Sequence, residues 1–319
     1  MNVRTPAVLL FLTLVLGLAG CKSSLGTEDK PIRIYVVPSE LSASTRQAGQ
    51  KLVDHLNKET GLHYSIHFPD RYIDVVVALG DKKADIAFMN NMSYLLANER
   101  FGAEAALAVE RASRNAYSGM IVVRADSGIE KLEDLEDKRI AIVDVYSVSG
   151  YIMPALMLSR AGIQARETIT AGNHADALRA VYDGKADAAF SFHEPPIDGK
   201  SHDARNLLGA EHPDVMEVLE VLALTETIPN EPVVFRKGLP PEMRKKTLAA
   251  LLSFVESPEG KEVFRAFHEI GGFIEVDDSH YDSVRDALSG LGKKLDEMVP
   301  GGGILEVKHV QEPMPPLGN

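Results

Sequence analysis

The sequence predicts an α/β protein made of two similar halves, and three observations carry that expectation. Short apolar, β-branched runs alternate with segments of helical periodicity along nearly the whole chain. One unit occurs twice: Gly80-Asp-Lys-Lys-Ala-Asp-Ile-Ala-Phe88 and Gly184-Lys-Ala-Asp-Ala-Ala-Phe190 both read as a helix end, a Gly/Lys turn and an Ala-Asp-x-Ala-Phe strand. The chain has 319 residues, enough for two separate cores.

Residues 1–20 read as a signal peptide. Arg4 gives a positive start, residues 7–16 are almost entirely apolar, and Leu18-Ala-Gly-Cys21 closes the stretch with small residues. The apolar run is too short for a transmembrane helix. Leu-Ala-Gly-Cys resembles the bacterial lipobox, which makes Cys21 the expected site of lipidation and anchors the chain to a membrane outside the cytoplasm. Cys21 is the single cysteine, so no disulfide is expected. Residues 21–30 are then the lipidated Cys and a polar, flexible tether.

Strands are expected at 32–37, 62–68, 84–89 and 118–124. Between them, residues 45–60 form a helix with Ala48, Leu52 and Leu56 on one face and Gly61 beyond its end. A second helix covers 72–79, with Asp70 as its cap, and a third begins near Met92. A further set follows: strand 139–143, helices 150–161 and 173–182, and strand 186–190. Helices at 241–255, 259–270 and 281–295 come next, and residues 299–319 form a Gly/Pro-rich tail.

The segment Asp144-Val-Tyr-Ser-Val-Ser-Gly-Tyr151 lies between a strand and a helix. A strand–turn–helix of this kind presents unpaired backbone N–H groups and hydroxyls, a cradle for a small oxyanion. Pro154 lacks the N–H that would bond the carbonyl of Gly150, so the first helical turn is expected to be irregular. The net charge of −12 excludes a basic nucleic-acid footprint, and any anion must be held by local donors.

Ordered landmarks then connect the chain to a family. They are Pro-Asp-Arg-Tyr72, Ala84-Asp-Ile-Ala-Phe-Met89, Ser93-Tyr94, Tyr117-Ser-Gly-Met120, Ser147-x-Ser-Gly-Tyr151, Gly172-x-His174, Ile228-Pro-Asn-Glu-Pro232 and Gly272-Phe-Ile274. With these the chain resembles the phosphate/phosphite/phosphonate-binding lipoproteins of ABC importers, members of the type 2 periplasmic binding proteins. The resemblance implies two lobes, each a mixed sheet flanked by helices, joined by two crossing strands. It places lobe 1 at 31–124 plus 230–298, lobe 2 at 125–229, and the crossings at 118–124 and 233–236. It also implies capture of an oxyanion between the lobes and delivery to an ABC permease.

The site residues implied are Ser147, the amide of Val148, Ser149 and Gly150 on the turn, Tyr72 and Tyr94 from the opposite lobe, and His174. Glu194 and Glu231 are the carboxylates for a ligand ammonium or protonated oxyanion, with His193 as a fallback for Glu194. Asn90 and Asn91 stand where the family usually has Gly-Pro. No cofactor and no metal are expected.

Other readings are weaker. Asp144, Ser149 and His174 could be written as a triad, but no Gly-x-Ser-x-Gly elbow is present. His63 and His67 on one strand would be roughly 13 Å apart, too far to share an ion. A cationic-ligand cage favours Trp, and the chain has none. A sensing lipoprotein partnered with a membrane histidine kinase would use the same fold.

Overall fold

In the computed structural model, the described residues are 24–37, 43–196, 199, 201–267 and 269–302. The chain opens with strand β1 (Ile32–Val36), helix α1 (Ala43–Thr60), β2 (Tyr64–His67), α2 (Tyr72–Gly80), β3 (Ile86–Phe88) and α3 (Asn91–Phe101). Next come β4 (Glu104–Glu110), β5 (Ala116–Arg124), β6 (Arg139–Ile142), a π turn at Val148–Ile152 that runs into α4 (Met153–Arg160), β7 (Glu167–Thr170), α5 (His174–Tyr182) and β8 (Ala188–His193). The last elements are α6 (Val215–Val218), β9 (Leu219–Pro229), β10 (Pro232–Phe235), α7 (Pro241–Glu256), α8 (Pro258–Arg265), β11 (Gly272–Glu275) and α9 (Asp282–Gly290).

Two mixed sheets result, ordered β11-β4-β10-β3-β1-β2 and β7-β6-β8-β5-β9. In the first, β1 lies parallel to β2 and β3, while β10 runs antiparallel to β3 and β4. In the second, β6 is parallel to β7 and β8, and β5 is antiparallel to β8 and β9. The echoed sequence unit has a common structural role. The Asp85 carboxylate accepts the backbone N–H of Arg33 (2.9 Å) and its guanidinium (3.1 Å), and the Asp85 N–H returns to the Arg33 carbonyl. Asp187 does the same for Arg139, at 2.8 Å and 3.2 Å. In each half, then, the Ala-Asp-x-Ala-Phe aspartate ties its strand to an arginine at the start of the parallel neighbour, Arg33 being the second residue of β1 and Arg139 the first of β6. Asp85 is fully buried and also bonds Arg236 at 2.7 Å.

The crossings differ from the expectation. β5 belongs wholly to the second sheet and β10 wholly to the first, so the chain passes between sheets at residues 111–115 and again at 230–231. Ala112 and Ser113 both have positive φ there, which makes a tight turn closed by the Arg111–Arg114 bridge. Asn230, 4% exposed, ties the two passages together. Its side chain donates to the carbonyls of Val109 (3.0 Å) and Arg114 (2.9 Å), and its N–H donates to the Asn115 carbonyl (2.8 Å).

Other expectations also need correction. Residues 24–30 do not form a free tether: Leu25 packs on the first core, and the Gly26 carbonyl accepts the His63 N–H at 2.8 Å. Cys21 and the signal peptide lie outside the described residues, as does the tail beyond 302. Within the first residues of that expected tail, Val299 is buried. Asp70 does not cap α2, whose N-cap is Arg71 with no side-chain cap bond. The expected last helix is shorter, ending at Gly290, and the expected helix at 259–270 stops at Arg265. Among the described residues no helix is long and apolar enough to cross a membrane.

Candidate ligand-binding site

A cavity of about 330 Å³ lies between the lobes, walled by the turn after β6 on one side and by the starts of α2 and α3 on the other. The turn is built by local hydrogen bonds. The Asp144 Oδ1 accepts the Tyr146 N–H at 2.7 Å, opening the loop. Ser147 is the N-cap, its Oγ accepting the Gly150 N–H at 3.0 Å.

The irregular first turn expected from Pro154 is present as the π turn. The Ile152 N–H reaches back to the Ser147 carbonyl and the Met153 N–H to the Val148 carbonyl. The Gly150 carbonyl, which Pro154 cannot bond, instead accepts the Val143 N–H at 3.2 Å. That close approach explains the glycine, since a Cβ there would stand 2.4 Å from Val143 Cγ2. The first two N–H groups of the turn, those of Val148 and Ser149, have no acceptor among the described residues. They are oriented as a helix start orients its donors.

Side chains add further donors. Tyr72, the first residue of α2, and Tyr117 on β5 both line the cavity. Burial first, then the Asp144 charge, pushes the Tyr72 phenol up; burial first, then Glu231, pushes Tyr117 well above the usual phenol range. Both phenols therefore keep their protons at neutral pH and serve as donors. His174 begins α5 and lines the same cavity, its Nδ1 2.8 Å from Ser191 Oγ. Burial lowers it to about 4, against a smaller opposing effect of Asp144, so the imidazole is neutral at pH 7.

Across the cavity, Asn90 caps α3 by accepting the Ser93 N–H (2.8 Å), and Asn91 Nδ2 donates to the Pro229 carbonyl (2.8 Å). The Asn91 Oδ1 and the Ser93 Oγ are buried without a hydrogen-bond partner, although both residues line the cavity. Orphaned polar atoms are costly in a closed core but are expected at a site that takes a polar ligand. None of the described lining residues is Lys or Arg, while Asp144 and Glu231 are both present. An anion here would be held by neutral donors beside two carboxylates. Such a site favours an oxyanion that keeps a proton or carries a cationic group.

Of the residues named from the sequence, Tyr72, Ser147, Val148, His174 and Glu231 line one cavity, and Ser93, Tyr117 and Asp144 line it as well. Tyr117 and Ser93 stood among the sequence landmarks, and Asp144 at the strand end, but nothing in their spacing marked them as facing the cleft. Tyr94 is a correction. It is fully buried, donates its hydroxyl to Asp278, and meets Tyr281 edge-on at 4.9 Å, so its phenol serves the packing of α3 against the segment leading into α9.

Gly150 is also corrected. Its amide is used by Ser147, and it does not line the cavity. Ser149 is buried beside the Tyr117 phenol and does not line the cavity, while its N–H remains open. Glu194 follows β8 outside the cavity wall and acts on Tyr117 only through its charge. Glu231 is paired with Arg111 at 2.7 Å. His193 is lowered by burial and does not line the cavity.

With this geometry in place, the relatives can be compared. The sequence pattern of a family described as "ABC transporter, phosphonate, periplasmic substrate-binding protein" matches residues 34–281. The phosphonates-binding periplasmic protein of Escherichia coli is 25% identical over 74% of this chain and 70% of its own length. The phosphate-import protein PhnD of Mycolicibacterium smegmatis is 25% identical over 82% of this chain and 86% of its own. A solved binding-protein component of an ABC phosphonate transporter from Pseudomonas aeruginosa superposes with a TM-score of 0.59 at 20% identity, over 88% of this chain and 99% of that one, and establishes the two-lobe periplasmic binding protein fold. Because the family pattern covers well over half of the chain, this protein belongs to the periplasmic substrate-binding proteins of ABC phosphonate transporters.

Proposed function

We propose that this protein captures a phosphonate-type oxyanion in the cavity after β6 and hands it to an ABC permease, while held at the membrane by a lipid on Cys21. The observation that carries the reading is the pair of open N–H groups at Val148 and Ser149, at the start of a turn whose Ser147 and Val148 line a cavity together with Tyr72, Tyr117 and a neutral His174. Charge-assisted hydrogen bonds stabilise a bound anion by roughly 1.5–3 kcal/mol each, so a few such donors suffice without a cation. Asp144 is the acceptor for a proton on the oxyanion, and Glu231, already bonded to Arg111, is the second carboxylate on the cavity. The family is described as a transporter component, so the sensing alternative finds no support.

The test is calorimetric titration of the purified chain with phosphate, phosphite, methylphosphonate and 2-aminoethylphosphonate. The proposal expects at least one to bind at micromolar or lower Kd. If all four remain weaker than millimolar, the ligand class is wrong. The lipid anchor has its own test: a Cys21→Ser chain should appear in the soluble fraction, and continued membrane association would rule the anchor out.

A further inference from the structure

The family's sequence pattern ends at residue 281, yet the stretch that follows is built into the molecule across both lobes. On the first lobe, α9 and residues 291–302 are tied to α3. Arg285 donates to Asn98 Oδ1 at 3.2 Å, and Asp296 accepts from Arg100 at 2.8 Å. Asp296 is 7% exposed, so its side of this ion pair is shielded from water. The same stretch meets the second lobe: Gly290 stands so close to α4 that a Cβ there would lie 2.8 Å from Leu156 Cδ1. Ala287, Leu288, Met298 and Val299 are buried in one apolar cluster with Val148 and Leu156 of the second lobe. The other three apolar clusters among the described residues each belong to a single lobe, so this is the core the lobes share. Met298, Val299 and Pro300 also reach the interlobe cavity and wall it together with Val148.

Two lobes joined only by short passages depend on a ligand for most of the contacts that keep them shut. Here the chain supplies such contacts itself, and opening the lobes would expose part of the shared core to water. We infer that α9 and residues 291–302 form a clasp that holds the lobes together in the ligand-free protein, so that most molecules already lie near the closed arrangement. A ligand that binds the closed form then loses less of its affinity to the cost of closure, because the apparent affinity scales with the fraction of competent molecules. The clasp acts on the lobes and does not depend on which oxyanion is bound.

The test is the distance between two spin labels, one on each lobe of the ligand-free chain, measured by double electron–electron resonance. Asp70 and Thr170 suit the labels: both are exposed, they precede Tyr72 and His174 on opposite sides of the cavity, and neither lines it. Each is replaced by Cys in a Cys21→Ser chain, which leaves no other thiol. The expected result is one narrow distance when the clasp is unaltered. Asp296→Ala releases the tie to α3, and Met298→Asp puts a charge into the shared core. Each should shift the distribution to longer distances and broaden it. Leu52→Ala, in the first lobe's own core, lowers stability without touching the clasp and should leave the distance unchanged. Melting curves identify a variant that fails to fold, and the other then decides. A folded clasp variant whose distribution matches that of the unaltered chain overturns the inference, as does an equal broadening in Leu52→Ala.

Discussion

Ser147 and Ser149 share a turn but have different tasks. Ser147 caps the π turn and lines the cavity, whereas Ser149 is buried and does not line it. Replacing both by Ala should weaken methylphosphonate binding at least tenfold by calorimetry, and Ser147→Ala should account for most of the loss. Unchanged affinity would reduce both serines to structural capping. His174 gives a pH prediction with a definite sign. Its ordinary value is 6.5 and burial lowers it to about 4, so between those values the unfolded chain binds a proton that the folded chain refuses. Stability contributed at this residue is therefore complete above about pH 6.5 and falls as pH drops toward 4, by at most about 3 kcal/mol. Melting curves at pH 7.5 and 4.5 should show a larger drop for the unaltered chain than for His174→Gln. Equal drops would contradict the assignment.

At the scale of elements, the repeated aspartates make a matched pair with unequal burial. Asp85 has no exposed surface and holds two arginines, so Asp85→Ala leaves two guanidinium groups without their buried partner and should cost about 3–5 kcal/mol. Asp187 is a quarter exposed and holds Arg139 alone, so Asp187→Ala should cost less, about 1–3 kcal/mol by chemical denaturation. The reverse order would sink this account of the repeat. The same unit was legible in the sequence because Lys-Ala-Asp-x-Ala-Phe recurs at 83–88 and 185–190, each time shortly after a Gly.

Other elements were not legible, for physical reasons. β4 reads Glu104-Ala-Ala-Leu-Ala-Val-Glu110, an alanine-rich run with no strand alternation, because it is buried on both faces between β10 and β11. β9 is long and mixes Glu220, Thr225, Glu226 and Thr227 with apolar residues, as an edge strand does. Leu25 is one apolar residue in a polar stretch, and nothing local marks it as an anchor. Tyr94 was misjudged because a tyrosine at a helix start looks the same whether its hydroxyl meets a ligand or Asp278.

At the scale of the molecule, two lobes connect through two short passages pinned by one buried side chain. Asn230→Ala would leave the carbonyls of Val109 and Arg114 without their donor and should lower stability by about 2–3 kcal/mol, with a larger fractional loss of ligand affinity than a lobe-surface variant of equal stability. The cavity is lined from both lobes, by Tyr72 and Asn91 on one side and Ser147 and His174 on the other, so a ligand held there would favour the closed arrangement. In the proposed binding mode the oxyanion sits on the turn after β6. The most direct measurement is the backbone amide spectrum of isotopically labelled protein titrated with methylphosphonate. The account predicts large downfield shifts of the Val148 and Ser149 amide protons, as expected for donors to an anion. Saturable binding that leaves both amides unmoved would contradict it.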